Sequence, residues 1–175
     1  MQQVLPKLPA DINVPIFIVQ HMPSGFTKLL ANRLNAISKI TVKEAEHGEG
    51  GQKGIAYIAP GGSHLKVKKY RNSLKIIVDQ TDLRSGHRPS VDVLFEALSE
   101  LQDYRKIAVN LTGMGSNGTE GLKKLKLTGA VNAITESDQS SIVLRMPKSA
   151  LKTNLVDRVD HLDNIAASIM EFIRK

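Results

Sequence analysis

The chain has 175 residues, 41% of them hydrophobic and 23% charged, and 24 Lys and Arg against 17 Asp and Glu give it a net charge of +7. That composition fits one soluble globular domain with a real core. The lack of cysteine excludes a disulfide scaffold and thiolate metal sites, and 4% aromatic residues with no Trp leave few stacking platforms for single-stranded nucleic acid.

The first residues, MQQVLPKLPADINV, lack the charged lead and apolar block of a signal peptide. No apolar run approaches the roughly 20 residues of a spanning helix. A cytoplasmic location without membrane insertion is therefore expected. Pro15 to Val19 is a short apolar run of the kind that forms a strand buried on both faces. Ser24 to Asn35 then carries Phe26, Leu29, Leu30 and Leu34 at helical spacing. Ile55 to Ile58 reads as a second strand, ended by Pro60-Gly61-Gly62. LKVKKYRNSLKIIV predicts a hairpin turning at Arg71-Asn72-Ser73. Its cations (Lys66, Lys68, Lys69, Arg71, Lys75) read as a solvated face, with attraction to an acidic protein partner as the second reading. Ser90 can cap a helix with Val91, Leu94, Phe95, Leu98 and Leu101 on one face. Ile107 to Leu111 predicts a strand, Thr112 to Gly118 a glycine-rich turn, and Leu122 with Leu125 the helix after it. Ala130 to Ile134 is a further strand, and Leu162, Ile165, Ile169 and Phe172 mark a final amphipathic helix. This alternation predicts a doubly wound α/β fold: a mostly parallel sheet, helices on both faces and one antiparallel hairpin.

Ligands of such sheets bind beyond the carboxyl ends of the strands. Gln20 to Pro23, Pro60 to His64 and the glycine loop all end strands there, which puts His21 and His64 near the turn. A glycine turn at a helix N-terminus presents backbone N–H groups to a phosphate, a carboxylate or a developing oxyanion. Gly113 to Gly118 formally matches G-x-G-x-x-G, with Glu136 placed where a ribose-binding acid would stand. In dinucleotide-binding domains, however, that fingerprint opens the first βαβ unit, and here several strands and a helix-bearing half-domain precede it. The five histidines are scattered, without metal-ligand spacing. No G-x-S-x-G elbow is present, and Ser116 reads as a helix-capping serine. His21 terminates a strand; packing or a backbone hydrogen bond is its plain reading, a general base its sharper one.

Five blocks carry a resemblance that decides among these: IVQHMPSGFTKLLANRLN (18–35), GIAYIAPGGSHL (54–65), HRPSVDVLF (87–95), LTGMGSNGTEGL (111–122) and SIVLRMPKSA (141–150). In order and spacing they are similar to the catalytic domain of the chemotaxis protein-glutamate methylesterases, the CheB type. The similarity spans residues 1–175 as one catalytic domain, with no receiver domain within them. It implies a serine-type hydrolase that demethylates glutamate methyl esters, and deamidates certain glutamines, on methyl-accepting chemotaxis receptor helices. No cofactor, metal or nucleic acid is implied. His21 matches the family's general base, and the backbone N–H of Met114 an oxyanion donor. His87 and Arg88 fall in a patterned stretch near the site, as substrate-binding candidates; an ion pair for Arg88 and a helix cap for Ser90 are the structural alternatives.

Two departures accompany the match. The family's nucleophilic serine sits in an S-T-G-G turn after its first strand, whereas MQQVLPKLP matches the middle of the following helix. The first strand and the nucleophile serine are thus expected to be absent from these residues. The family also places aspartate where this chain has Asn117. An amide carries no charge and can donate where the carboxylate accepts, and in a serine-protease triad that exchange costs about 10⁴ in turnover. The expectation is an impaired member of the family, with a non-catalytic receptor-binding domain as the alternative and a dinucleotide-binding domain as the lesser one.

Overall fold

The computed structural model describes residues 1–113 and 115–175. A 3₁₀ turn (Leu5–Lys7) leads into β1 (Ile16–Ile18), α1 (Phe26–Ile37), β2 (Thr41–Glu44) and β3 (Ile55–Ile58). The hairpin β4 (His64–Tyr70) and β5 (Ser73–Asp79) follows, then α2 (Val91–Ser99), β6 (Lys106–Asn110) and α3 (Thr119–Lys126). The chain ends with β7 (Val131–Glu136), α4 (Arg145–Leu151), β8 (Arg158–Asp160) and α5 (Ile165–Arg174).

The parallel strands fall into two sheets rather than one, ordered β1-β3-β2 and β6-β7-β8, and the hairpin forms the antiparallel pair. Among the described residues β1 pairs only with β3, and β6 only with β7. Among the described residues both outer strands of each three-stranded sheet, β1 and β2 in one and β6 and β8 in the other, therefore have one side without a strand partner. This accounts for a difference from expectation in β1: its residues are half-buried, not fully covered.

Alternation along the strands sorts the core into two layers. Ala56 and Ile58 of β3 pack with Ala31 and Leu34 of α1, with Ile134 of β7 and with Ile165 and Ala166 of α5. Tyr57 and Ala59 face the other way, toward Leu65, Val67 and Ile76 of the hairpin, Val91, Leu94 and Phe95 of α2, and Leu122 and Leu125 of α3. Helices thus cover both faces, as a doubly wound fold requires. In α1 the buried residues are Thr27, Ala31 and Leu34, while Phe26 and Leu29 point outward. Apolar spacing misplaced that face because Thr27 is a buried polar tie. Its hydroxyl donates to Glu44 Oε1 (2.5 Å) and accepts the Gly61 N–H (2.9 Å).

The predicted hairpin turn is observed, with Tyr70 opposite Ser73. Its charges are largely used within the domain: Lys66 pairs with Asp79, Lys69 with Asp103, and Lys75 and Arg71 lie over the Tyr70 ring. Among the described residues no helix is long and apolar enough to cross a membrane.

Candidate active site

Three segments meet at the carboxyl ends of β1 and β6 and at the start of α2. The glycine loop reaches the site because α3 packs tightly on α2. A β-carbon at Gly121 would lie 2.8 Å from Phe95 Cβ and 2.9 Å from the Asp92 backbone, so this crossing tolerates only glycine. Gly118 turns the chain into α3 with φ of 100°, a left-handed value that glycine adopts without a steric penalty, and it sits against Val91.

That packing brings Asn117, 4% exposed, against the N-terminus of α2. Asn117 Oδ1 accepts the Val91 N–H at 2.6 Å and lies 3.2 Å from His21 Nε2. Asn117 Nδ2 donates to Ser90 Oγ (2.8 Å) and to Asp92 Oδ2 (3.2 Å). Ser90 holds the N-cap position of α2 but makes no side-chain cap bond. The side chain that receives the helix's first N–H is Asn117, from a distant loop.

These contacts settle which end of the amide faces the histidine. Val91 N–H can only donate, and a carboxylate can only accept. The reverse orientation would set donor against donor at Val91 and acceptor against acceptor at Asp92, each unpaired buried group costing about 1–3 kcal/mol. Oδ1 therefore faces His21, and Nε2 must carry the hydrogen. In the neutral ring Nδ1 is then the basic nitrogen. Of the two orientations open to an asparagine, the neighbours hold the amide in the accepting one that a carboxylate would adopt.

The second imidazole at the site is His87, not His64. The His21 and His87 rings stack with centroids 4.2 Å apart. His64 is fully buried in β4 and donates from Nε2 to the Asp82 carbonyl. His87 Nδ1 donates to the Ser85 carbonyl at 2.7 Å, which fixes its ring. Arg88 makes no ion pair among the described residues; its Nη1 donates to the carbonyls of Gln80 (2.9 Å) and Thr81 (3.0 Å). His21, Met22, Pro23, Gly86, His87, Arg88 and Pro89 line a cleft of about 280 Å³.

Burial lowers the His21 pKa below the ordinary imidazole value; the Asn117 hydrogen bond opposes this and the His87 charge adds to it. Above the ordinary value the ring is neutral in both folded and unfolded chains and contributes nothing to pH dependence. As pH falls below it the unfolded chain binds a proton first, so folding loses stability until the folded ring also titrates. His21→Gln is expected to remove this part of the acid-side loss, measurable as a flatter stability profile by urea denaturation between pH 7 and 5.

The glycine loop offers fewer N–H groups than its sequence suggests. Thr112 N donates to Glu136 Oε2 (2.8 Å) and Gly113 N to the Val143 carbonyl (3.0 Å). Glu136, the acid that a dinucleotide reading would give to a ribose, is 1% exposed and engaged with this loop. Ser116 does not cap α3, whose N-cap is Gly118. Met114, the expected oxyanion donor, lies outside the described residues. Among the described residues no cluster of three or more His, Asp or Glu is placed to hold a metal ion.

The CheB methylesterase family model matches residues 1–169. The chain belongs to that family. It is 51% identical, over its full length, to the protein-glutamate methylesterase/protein-glutamine glutaminase of Bacillus licheniformis, covering 49% of that relative. It is 56% identical to the enzyme of the same name from Halalkalibacterium halodurans, over 97% of this chain and 49% of that one. The crystal structure of the Thermotoga maritima CheB methylesterase catalytic domain superposes with a TM-score of 0.94 at 40% identity, covering 98% of this chain and 90% of that one. The chain spans about half the length of the curated relatives it matches.

Sequence reasoning named His21 and Asn117, which the structure brings together, but missed Asp92 beside them. The available signal was a carboxylate inside the otherwise apolar run Val91-Asp92-Val93-Leu94-Phe95. At the first turn of a helix it reads simply as a favourable charge for the helix dipole.

Proposed function

We propose that residues 1–175 belong to a single catalytic domain that, supplied with the family's nucleophile serine, hydrolyses γ-glutamyl methyl esters on methyl-accepting chemotaxis receptors. The same site would deamidate selected receptor glutamines, in the cytoplasm and as part of chemotaxis signal transduction. The observation carrying this reading is the His21–Asn117 contact at the strand ends, in a chain of this family. His21 Nδ1 takes the proton of an attacking serine hydroxyl and returns it to departing methanol, or to ammonia in deamidation. The carbonyl oxygen, negative in the tetrahedral intermediate, is assigned to the Met114 backbone N–H. His87 and Arg88 border the path of the receptor side chain. No cofactor takes part, and receptor helices are the partner.

Among the described residues no serine hydroxyl is hydrogen-bonded to His21. The family's nucleophile belongs to a turn ahead of the segment matching MQQVLPKLP. The 175-residue polypeptide by itself is accordingly proposed to be impaired. Methanol release from methylated receptor is expected at least about 10³-fold below that of an intact relative. Comparable turnover would defeat the impairment. Joining an S-T-G-G-bearing strand ahead of Met1 is expected to restore release, and His21→Gln to abolish it again. Receptor binding without methanol release from that extended chain would support a non-catalytic receptor-binding domain instead.

A further inference from the structure

We propose that Asp92 is a positioning residue for His21, acting through Asn117: the amide touches the imidazole, and the carboxylate that orients it stands one side chain behind. This rests on the reading of His21 as the proton-transferring group.

Asp92 is 3% exposed and both of its oxygens are engaged. Oδ1 accepts the Gly121 N–H at 2.7 Å, across the α2–α3 crossing, and Oδ2 accepts the Asn117 amide at 3.2 Å. The carboxylate, on α2, is thus held by the backbone of α3 while it holds the side chain that leads into that same helix. Asn117 Nδ2 is drawn to it, Oδ1 is turned toward Val91 and His21, and the His21 Nε2–H tautomer follows. When an amide replaces a triad carboxylate, both orientation and charge are at stake. Here orientation is preserved and the negative charge is displaced by one hydrogen bond. A charge at that remove, within a protein of effective dielectric near 20, still favours the imidazolium that forms when His21 accepts a proton.

This arrangement makes an exchange of the two side chains chemically permissible. In the double variant Asp92→Asn/Asn117→Asp, the amide at 92 can accept the Gly121 N–H and donate to the carboxylate at 117. That carboxylate accepts from Val91, Ser90 and His21. In Asp92→Asn alone, two amide NH₂ groups face each other and the orientation of Asn117 is no longer enforced.

The test is an NMR titration of the His21 ring nitrogens in the full 175-residue chain, with His87→Gln used to assign the stacked neighbour's signals. Asp92→Asn is expected to lower the His21 pKa by about one unit and to weaken the hydrogen-bonded Nε2–H signal. The exchange variant is expected to bring the pKa back to, or above, that of the unsubstituted protein. A folded Asp92→Asn with an unchanged pKa and Nε2–H signal overturns the proposal. Should that variant not fold, the exchange variant decides: a His21 pKa below the unsubstituted value overturns it, and recovery supports it. A residue that merely supports packing would leave the His21 titration where it is. The titration needs no turnover, so failure of the methanol assay and failure of this coupling are read separately.

Discussion

Gly61→Ala is expected to cost the fold about 3 kcal/mol or more, at the upper end of overpacking effects. An added β-carbon would lie 2.4 Å from the carbonyl carbon and oxygen of Pro23 and 2.6 Å from the Ser24 nitrogen. These are backbone atoms, so no rotamer change relieves the clash. The segment His21 to Pro23 has to move, and with it the imidazole that sits 3.2 Å from Asn117. The loss therefore reaches stability and site geometry together. Gly62→Ala is the control: nothing lies within 4 Å of its added carbon, and only its φ of 81° is unfavourable. That strain costs about 1 kcal/mol. Urea denaturation of both variants separates crowding from backbone strain. Equal losses for the two would show that the approach of β1's exit to β3's exit is loose.

Asn117→Leu is the second large effect, expected at about 3 kcal/mol. Leucine has the branching and the number of side-chain heavy atoms of asparagine, so the change removes hydrogen bonds without opening a cavity. It leaves the Val91 N–H without its acceptor and takes a donor from both Asp92 and Ser90, all in a buried cluster. It also releases His21 from its fixed tautomer. Ser116→Ala, one residue away on an exposed turn, is expected to stay within about 0.5 kcal/mol. Denaturation midpoints of the pair test whether the asparagine, rather than the loop at large, ties α2 to α3.

Most elements are legible in the chain because each has a strong local cause. The apolar run before His21, the β3 run ended by Pro-Gly-Gly and the hairpin around Arg71-Asn72 all declare themselves through residue type alone. Others are not legible by period. β2 and β8 are short and mostly half-buried or exposed, so no apolar alternation marks them. The outward turn of Phe26 and Leu29 follows from Thr27, whose two hydrogen bonds select the buried face of α1 against the hydrophobic count. The division of the parallel strands into two sheets depends on which edges find partners, a property of the assembled chain.

His21 and Asn117 were visible as candidates through their place at strand ends and in ordered blocks of family type. Local spacing and residue chemistry suffice for that, because strand ends and glycine turns are written within a few residues. What the amide does was decided only by the tertiary structure. Asn117 draws its orientation from the Val91 N–H and from Asp92, which lie on another helix and meet it only because Gly121 lets α3 close onto α2. An amide's donor and acceptor ends are chemically available in either direction. Only partners brought together by packing choose between them, and here they leave His21 with its basic nitrogen at Nδ1.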